Sequence, residues 1–202
     1  MSYIGEIKNL LFSNTSTRQT IMKNTFWLGF GTGLTKILSF VLIVYAARVL
    51  GAEEYGKFAF ALAFIYMFVV FFDFGLSPII TREFAREKEK KEDFYSIISL
   101  KVLLALGTLV LILLASFLTV PEKDIQNMIF ILSLFLIANS FWGMFNSFFH
   151  ARQKMEYEAL FDTLQVLMIF GLGFFILFRY PSSENLSYAY FLSALLTLVF
   201  VA

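Results

Sequence analysis

The chain has 202 residues, of which 59% are hydrophobic, 19% aromatic and 15% charged, with a formal net charge of +1 and a mean hydropathy of +0.76. Soluble domains are about 45–50% apolar and about 25% charged, so an ordinary soluble globule is excluded, and the near-neutral balance supplies no basic field for nucleic acid. Without cysteine and with one histidine, His150, the chain has no disulfides, thiolate nucleophiles, thiolate metal sites or histidine-rich metal centre, and neither metal nor cofactor is expected.

The apolar residues come in blocks. Roughly 20 consecutive apolar residues cross about 30 Å of hydrocarbon as a helix, and a spanning segment must be helical or part of a closed barrel to satisfy its backbone. The blocks are continuous and lack period-two alternation, which excludes the barrel. The expected fold is all-α: a polytopic membrane helical bundle of about six spans with a cytoplasmic N-terminus.

Residues 1–24 are polar and mixed, without the early apolar core of a signal peptide. Ile4, Ile7, Leu10 and Leu11 fall at helical spacing before Ser13-Asn14-Thr15-Ser16-Thr17. This predicts a short amphipathic helix on the cytoplasmic membrane face and a capping turn. The first span is expected at 25–47, with Lys36 near its middle, and the second at 58–80, carrying Asp73. Residues 82–93 hold five basic and five acidic residues in near alternation, the pattern of a solvated helix end laced with i,i+4 pairs. The third span, 96–120, has Lys101 near its start, and a turn at Pro121 leads to the fourth, 125–149, with Asn139 and Asn146. A polar connector at 150–158 precedes the fifth span, 159–178, with Asp162 and Gln165. The sixth begins at Leu186 and is still apolar at Ala202, so residues 25–202 are expected to be one six-helix lobe of a longer chain. Ten lysines and arginines fall on the N-terminal side of these spans and four on the other, which places the N-terminus in the cytoplasm.

Several short motifs fail on context. Gly29, Gly31 and Gly33 sit inside an apolar span, whereas a nucleotide loop needs a strand before it and a helix after it; close helix packing explains them better. Asp73-Phe74-Gly75 matches a kinase tripeptide with no accompanying catalytic or phosphate loop. Asn14-Thr15-Ser16 and Asn185-Leu186-Ser187 fit a glycosylation pattern, but the first is cytoplasmic by the charge rule and the second too close to the membrane.

The informative chemistry is the charge inside the spans. A lysine at the centre of a membrane helix costs about 2.5–3.5 kcal/mol on insertion scales, so Lys36 is expected to face a water-filled cavity or a counter-ion. Asp73, roughly 10 Å from the cytoplasmic edge against roughly 16 Å for Lys36 at about 1.5 Å per residue, is the candidate counter-ion, since a long lysine side chain bridges that offset between neighbouring helices. Lys101, closer to the membrane surface, can snorkel. With Asp162, Gln165, Asn139 and Asn146, these residues predict a polar interior opening inward. A phosphate-bearing substrate needs cationic partners along such a path.

Two signatures carry a family resemblance. Ala47-Arg48-Val49-Leu50-Gly51-Ala52-Glu53-Glu54-Tyr55-Gly56 is followed by Asp73-Phe74-Gly75-Leu76-Ser77 and Thr81-Arg82-Glu83-Phe84-Ala85-Arg86. In combination they resemble the N-terminal region of the polysaccharide transporter family, the Wzx-like flippases, within the superfamily that includes the MATE exporters. The resemblance implies a plasma-membrane, multi-pass, non-enzymatic transporter with two six-helix lobes around a cavity. Its substrate would be a polyprenyl-linked saccharide moved from the cytoplasmic to the outer leaflet by alternating access. The second lobe would come from the same full-length chain or from a homodimer. Of the cavity candidates Lys36, Arg48 and Asn139, only Arg48 falls in a signature, while Lys36 rests on the burial argument and Asn139 on its depth in the fourth span. Of the ion-coupling candidates Asp73 and Asp162, Asp73 falls in the second signature, and no catalytic residue is implied. Gly51 and Gly56 would shape the external turn. Competing readings are a MATE-like cation antiporter, which predicts an acidic cavity; a membrane glycosyl or phosphoalcohol transferase, which needs clustered aspartates or a catalytic histidine; and a structural scaffold, for which Lys36 is an unexplained cost.

Overall fold

A computed structural model describes residues 17–85 and 91–201. The expected amphipathic helix before Thr17 and residues 86–90 of the charged stretch lie outside the described residues. The described elements are seven α-helices and no strands: α1 Thr17–Tyr66, α2 Val69–Asp73, α3 Leu76–Phe84, α4 Lys91–Thr119, α5 Lys123–Ala151, α6 Met155–Arg179 and α7 Ser183–Val201. Four of them, α1, α4, α5 and α6, are long and apolar enough to cross a membrane. The molecule is a multi-pass membrane helical bundle.

At about 1.5 Å per residue the 50 residues of α1 would be more than twice as long as the hydrocarbon is thick. Gly51 resolves this. Its φ of 76° and ψ of 174° leave the helical region, and Leu38, Ser39 and Leu42 on one side of it line the same cavity as Leu62 and Tyr66 on the other. The two arms therefore lie side by side as a hairpin. Gly56, the other glycine expected at this turn, is helical. Only glycine populates the conformation of Gly51 without strain, at a cost to other residues of about 1–3 kcal/mol. Gly51→Ala is accordingly expected to lower the melting temperature of the detergent-solubilised protein, whereas Gly56→Ala, with open space around its added methyl group, leaves it unchanged or raises it.

The second expected span is not one helix. The chain bends at Met67–Phe68, where the Phe68 N–H donates to the Ile65 carbonyl (3.0 Å). It breaks again at Phe74 (φ 44°) and Gly75 (φ 81°). Uniform apolarity over 58–80 hides both breaks, since it reports burial and not backbone continuity. The second break has a local cause: Gly75 adopts the left-handed conformation at no steric cost, and Asp73 caps the helix that restarts. The Ser77 N–H donates to Asp73 Oδ2 (3.3 Å) and the Ser77 hydroxyl to Oδ1 (2.8 Å), where a carboxylate also favours the helix dipole.

Helix α5 is the centre of the bundle. Its apolar stretch is 56% buried, against 11–22% for the other three long helices. It packs against α1, α3, α4 and α7, and Met128, Ile129, Leu132 and Phe135 anchor the main core. The α3 end is tied to it by the Thr81 hydroxyl, 3.3 Å from the Ser147 carbonyl. Of the three closely spaced glycines, Gly31 makes the predicted close approach: a methyl group there would lie 3.0 Å from Ala159 Cβ on α6. Gly29 and Gly33 meet nothing.

Candidate functional site

The breaks around α2 open a cavity of about 480 Å³ between α2, α3, α4, α5 and α6. Asp73, Lys101, Asn139, Asn146, Asp162 and Gln165, drawn from four separate helices, all line it. Their pairing differs from the sequence expectation. Lys101 Nζ lies 3.0 Å from Asp73 Oδ1, and the lysine side chain is 2% exposed. Lys101 therefore does not snorkel, and Asp73 is the counter-ion of Lys101 rather than of Lys36. The depth of both residues in the same half of the membrane was the available signal; what the sequence could not show is that the helix breaks beside Asp73 and turns it toward α4.

The remaining polar groups are largely matched. Trp142 Nε1–H donates to Asp162 Oδ1 (2.6 Å) and Gln165 Nε2–H to Asn139 Oδ1 (2.6 Å). Asn146 Oδ1 is buried without a donor. A smaller cavity of about 260 Å³, between the arms of α1 and helix α6, shares Tyr66, Asn139 and Gln165 with the first. Trp142 and Ser140 also line the main cavity, as does Ser77 of the second signature; Trp142 and Ser140 were not singled out by sequence reasoning, where Trp142 reads as one more apolar residue of a span.

Lys36 and Arg48 lie elsewhere. Both are exposed on α1, outside the polar cavity. No carboxylate among the described residues lies within ion-pair distance of Lys36. At about 100° per residue, Thr25, Gly29, Thr32 and Lys36 share one side of the helix, and all four are exposed. Phe26, Phe30 and Ile37, 50%, 57% and 63% exposed, fall on the adjacent side. The first arm thus carries two exposed faces: a large apolar one suited to lipid tails, and a narrow one of small and hydroxyl side chains that ends at a lysine. The candidate site has two separate parts, a matched polar cavity within the bundle and a cationic stripe on its surface.

A family model described as "Polysaccharide biosynthesis protein" matches residues 21–202. The chain is also 26% identical, over 165 residues, to a protein of Escherichia coli (strain K12) named "Putative O-antigen transporter". That alignment covers 79% of this chain and 39% of the relative, so the chain spans well under half the length of that protein. No solved structure matches the chain significantly.

Proposed function

From membership of the polysaccharide biosynthesis protein family, to which the chain belongs, we propose that it forms one lobe of a transporter that flips a lipid-linked oligosaccharide or polysaccharide repeat unit from the cytoplasmic to the outer leaflet. The observation that carries this reading is the exposed Lys36, near the middle of the first arm of α1 and without an ion-pair partner among the described residues. Facing lipid it would cost about 2.5–3.5 kcal/mol. Facing a hydrated cleft completed by a second lobe, it is solvated and meets an anionic head group. The lipid tail stays in the bilayer along the neighbouring apolar face while the phosphate passes the lysine.

The second lobe comes from the remainder of a full-length chain, in keeping with the greater length of the relative. Asp73 and Asp162 in the internal cavity are the ion-coupling candidates; binding or loss of a proton or cation there alters the contacts that hold α2 and α3 to α4 and α5, and so biases one lobe arrangement over another. Arg48, at the hairpin end of α1, would meet the head group as it leaves. A cationic-drug exporter would be served by a carboxylate on the cleft-facing stripe, and the described stripe presents a lysine instead.

The reading is tested by reconstituting the natural full-length protein in liposomes holding a fluorescent lipid-pyrophosphate saccharide on the inner leaflet. Externally added glycosidase, which cannot enter, then reports arrival at the outer leaflet. Exposure faster than in vesicles with heat-inactivated protein is expected; equal rates would exclude flipping of that substrate class.

A further inference from the structure

At the end of the bundle where α1 begins, α3 ends and α5 turns into α6, a separate cavity of about 520 Å³ is lined by Thr20, Asn24, Thr25, Thr81, His150 and Gln153. The turn residue Gln153, in the α5–α6 connection, adopts a positive φ of 53°. The charge count assigns this end to the cytoplasm. The cavity does not overlap the polar cavity around Asp73 and has the volume of a small-ligand pocket.

Two features show what would fill it. Asn24 is 7% exposed, yet no donor among the described residues reaches its Oδ1. Buried amide oxygens nearly always have a partner, so this one is set to accept a hydrogen bond from something the described residues do not supply. The lining is also electrically quiet. Lys23 Nζ lies 3.1 Å from Glu156 Oε2, and His150 Nε2 lies 2.7 Å from Glu158 Oε2. Among the described residues, no lysine, arginine or carboxylate lines the cavity. Among the described lining residues a phosphate would find no lysine or arginine and an ammonium no carboxylate. What remains is a ring of hydroxyls and amides, backed by the apolar Ile21, Leu28 and Met155.

We propose that this cavity is a saccharide subsite at the cytoplasmic mouth of the lobe. A sugar hydroxyl donates to Asn24 Oδ1, neighbouring hydroxyls exchange hydrogen bonds with the threonines and the Gln153 amide, and the C–H face of the ring rests on Ile21, Leu28 and Met155. The site recognises the uncharged, hydroxyl-rich part of a ligand, whereas Lys36, deeper along the same helix, is suited to its phosphate. Assigning this sugar to a transported head group rests on the proposed flippase function; the binding site itself rests on the cavity and Asn24.

The test uses the natural full-length protein in nanodiscs and a panel of methyl pyranosides as probes, with binding read by saturation-transfer NMR. At least one glycoside is expected to bind, and Asn24→Leu to weaken it at least about tenfold, the equivalent of one lost hydrogen bond to a buried acceptor. Because the amide oxygen has no partner among the described residues, Asn24→Leu should melt at the wild-type temperature or above it, as expected where a residue serves binding at the expense of stability. Thr25→Val, a near-isosteric change at an exposed position, provides a second variant expected to weaken the same probe. Binding that is lost in Asn24→Leu while the wild type flips nothing would uphold the subsite and sink the transport reading. Active flipping with no glycoside bound would do the reverse. Asn24-dependent binding of phosphoethanolamine in place of glycosides would identify a lipid head-group site and overturn the proposal, as would a lowered melting temperature of Asn24→Leu, which would make the amide a structural group.

Discussion

Replacing Lys101 with methionine is expected to destabilise the bundle by about 2–3 kcal/mol, read as a lower melting temperature of the purified protein in detergent. Removing one partner of a fully buried ion pair costs about 3–5 kcal/mol, because the other charge is left without compensation. Here Lys101 is 2% exposed but Asp73 is 34% exposed, so water screens the remaining carboxylate and the lower figure applies. The methylene stem of Lys101 is replaced in kind by methionine, which leaves loss of the charge as the main change. Asp73→Leu should cost more than Lys101→Met. It strands the more deeply buried ammonium and also removes the acceptor that Ser77 uses to start α3. Combining Lys101→Met with Asp73→Asn, which retains an acceptor for Ser77, should recover part of the loss. An unchanged melting temperature in Lys101→Met would mean that the pair does not hold the broken helix against α4.

That pair also shows where the sequence was legible and where it was not. Apolar block length was enough to place the chain in a membrane as a helical bundle, because the bilayer permits few alternatives. It was also enough to select the polar residues now found around one cavity, since a charged or amide side chain within a span has few tolerable positions. Partner assignment failed because it depends on which helices are neighbours and on backbone direction. Asp73 was matched with Lys36 by depth alone, while the left-handed Phe74 and Gly75 aim it at Lys101. Gly75 was visible in the sequence, but a glycine within an apolar run marks a packing contact as readily as a break. The turn at Gly51 was legible because the glycine falls in the family signature, between two apolar blocks. The significance of Asn24 was hidden for a different reason: an unsatisfied acceptor is defined by what surrounds it in space, and nothing in the one-dimensional pattern distinguishes it from a helix-capping asparagine.

Lys36→Ala is expected to reduce flipping by about 10–100-fold, the effect of losing a charge-assisted hydrogen bond worth about 1.5–3 kcal/mol. Lys36→Glu should abolish it, by adding repulsion of an anionic head group. Lys36→Arg keeps the charge but changes its geometry from a compact ammonium to a planar fork, and should retain partial activity. Stability should hardly move in any of the three, because Lys36 is exposed and makes no ion pair among the described residues. This combination separates the transport reading from a structural one: a lysine serving as a packing or pairing element would lower the melting temperature together with activity. Wild-type flipping by a well-expressed Lys36→Ala protein would remove Lys36 from the passage.

The direct test is whether the Lys36 face of α1 meets water in the assembled membrane protein. These 202 residues contain no cysteine, so a single introduced thiol is unique within them, and any cysteine elsewhere in the full-length chain can be replaced first. K36C and I37C lie about 100° apart around the helix, at nearly the same depth. With a charged, membrane-impermeant thiosulfonate applied to inside-out and right-side-out vesicles, K36C should be modified, from at least one side of the membrane, many times faster than I37C, and a lipid-linked saccharide should slow that reaction. If K36C is as inert as I37C from both sides, the lysine faces lipid or a sealed interface, and no hydrated cleft runs along this helix.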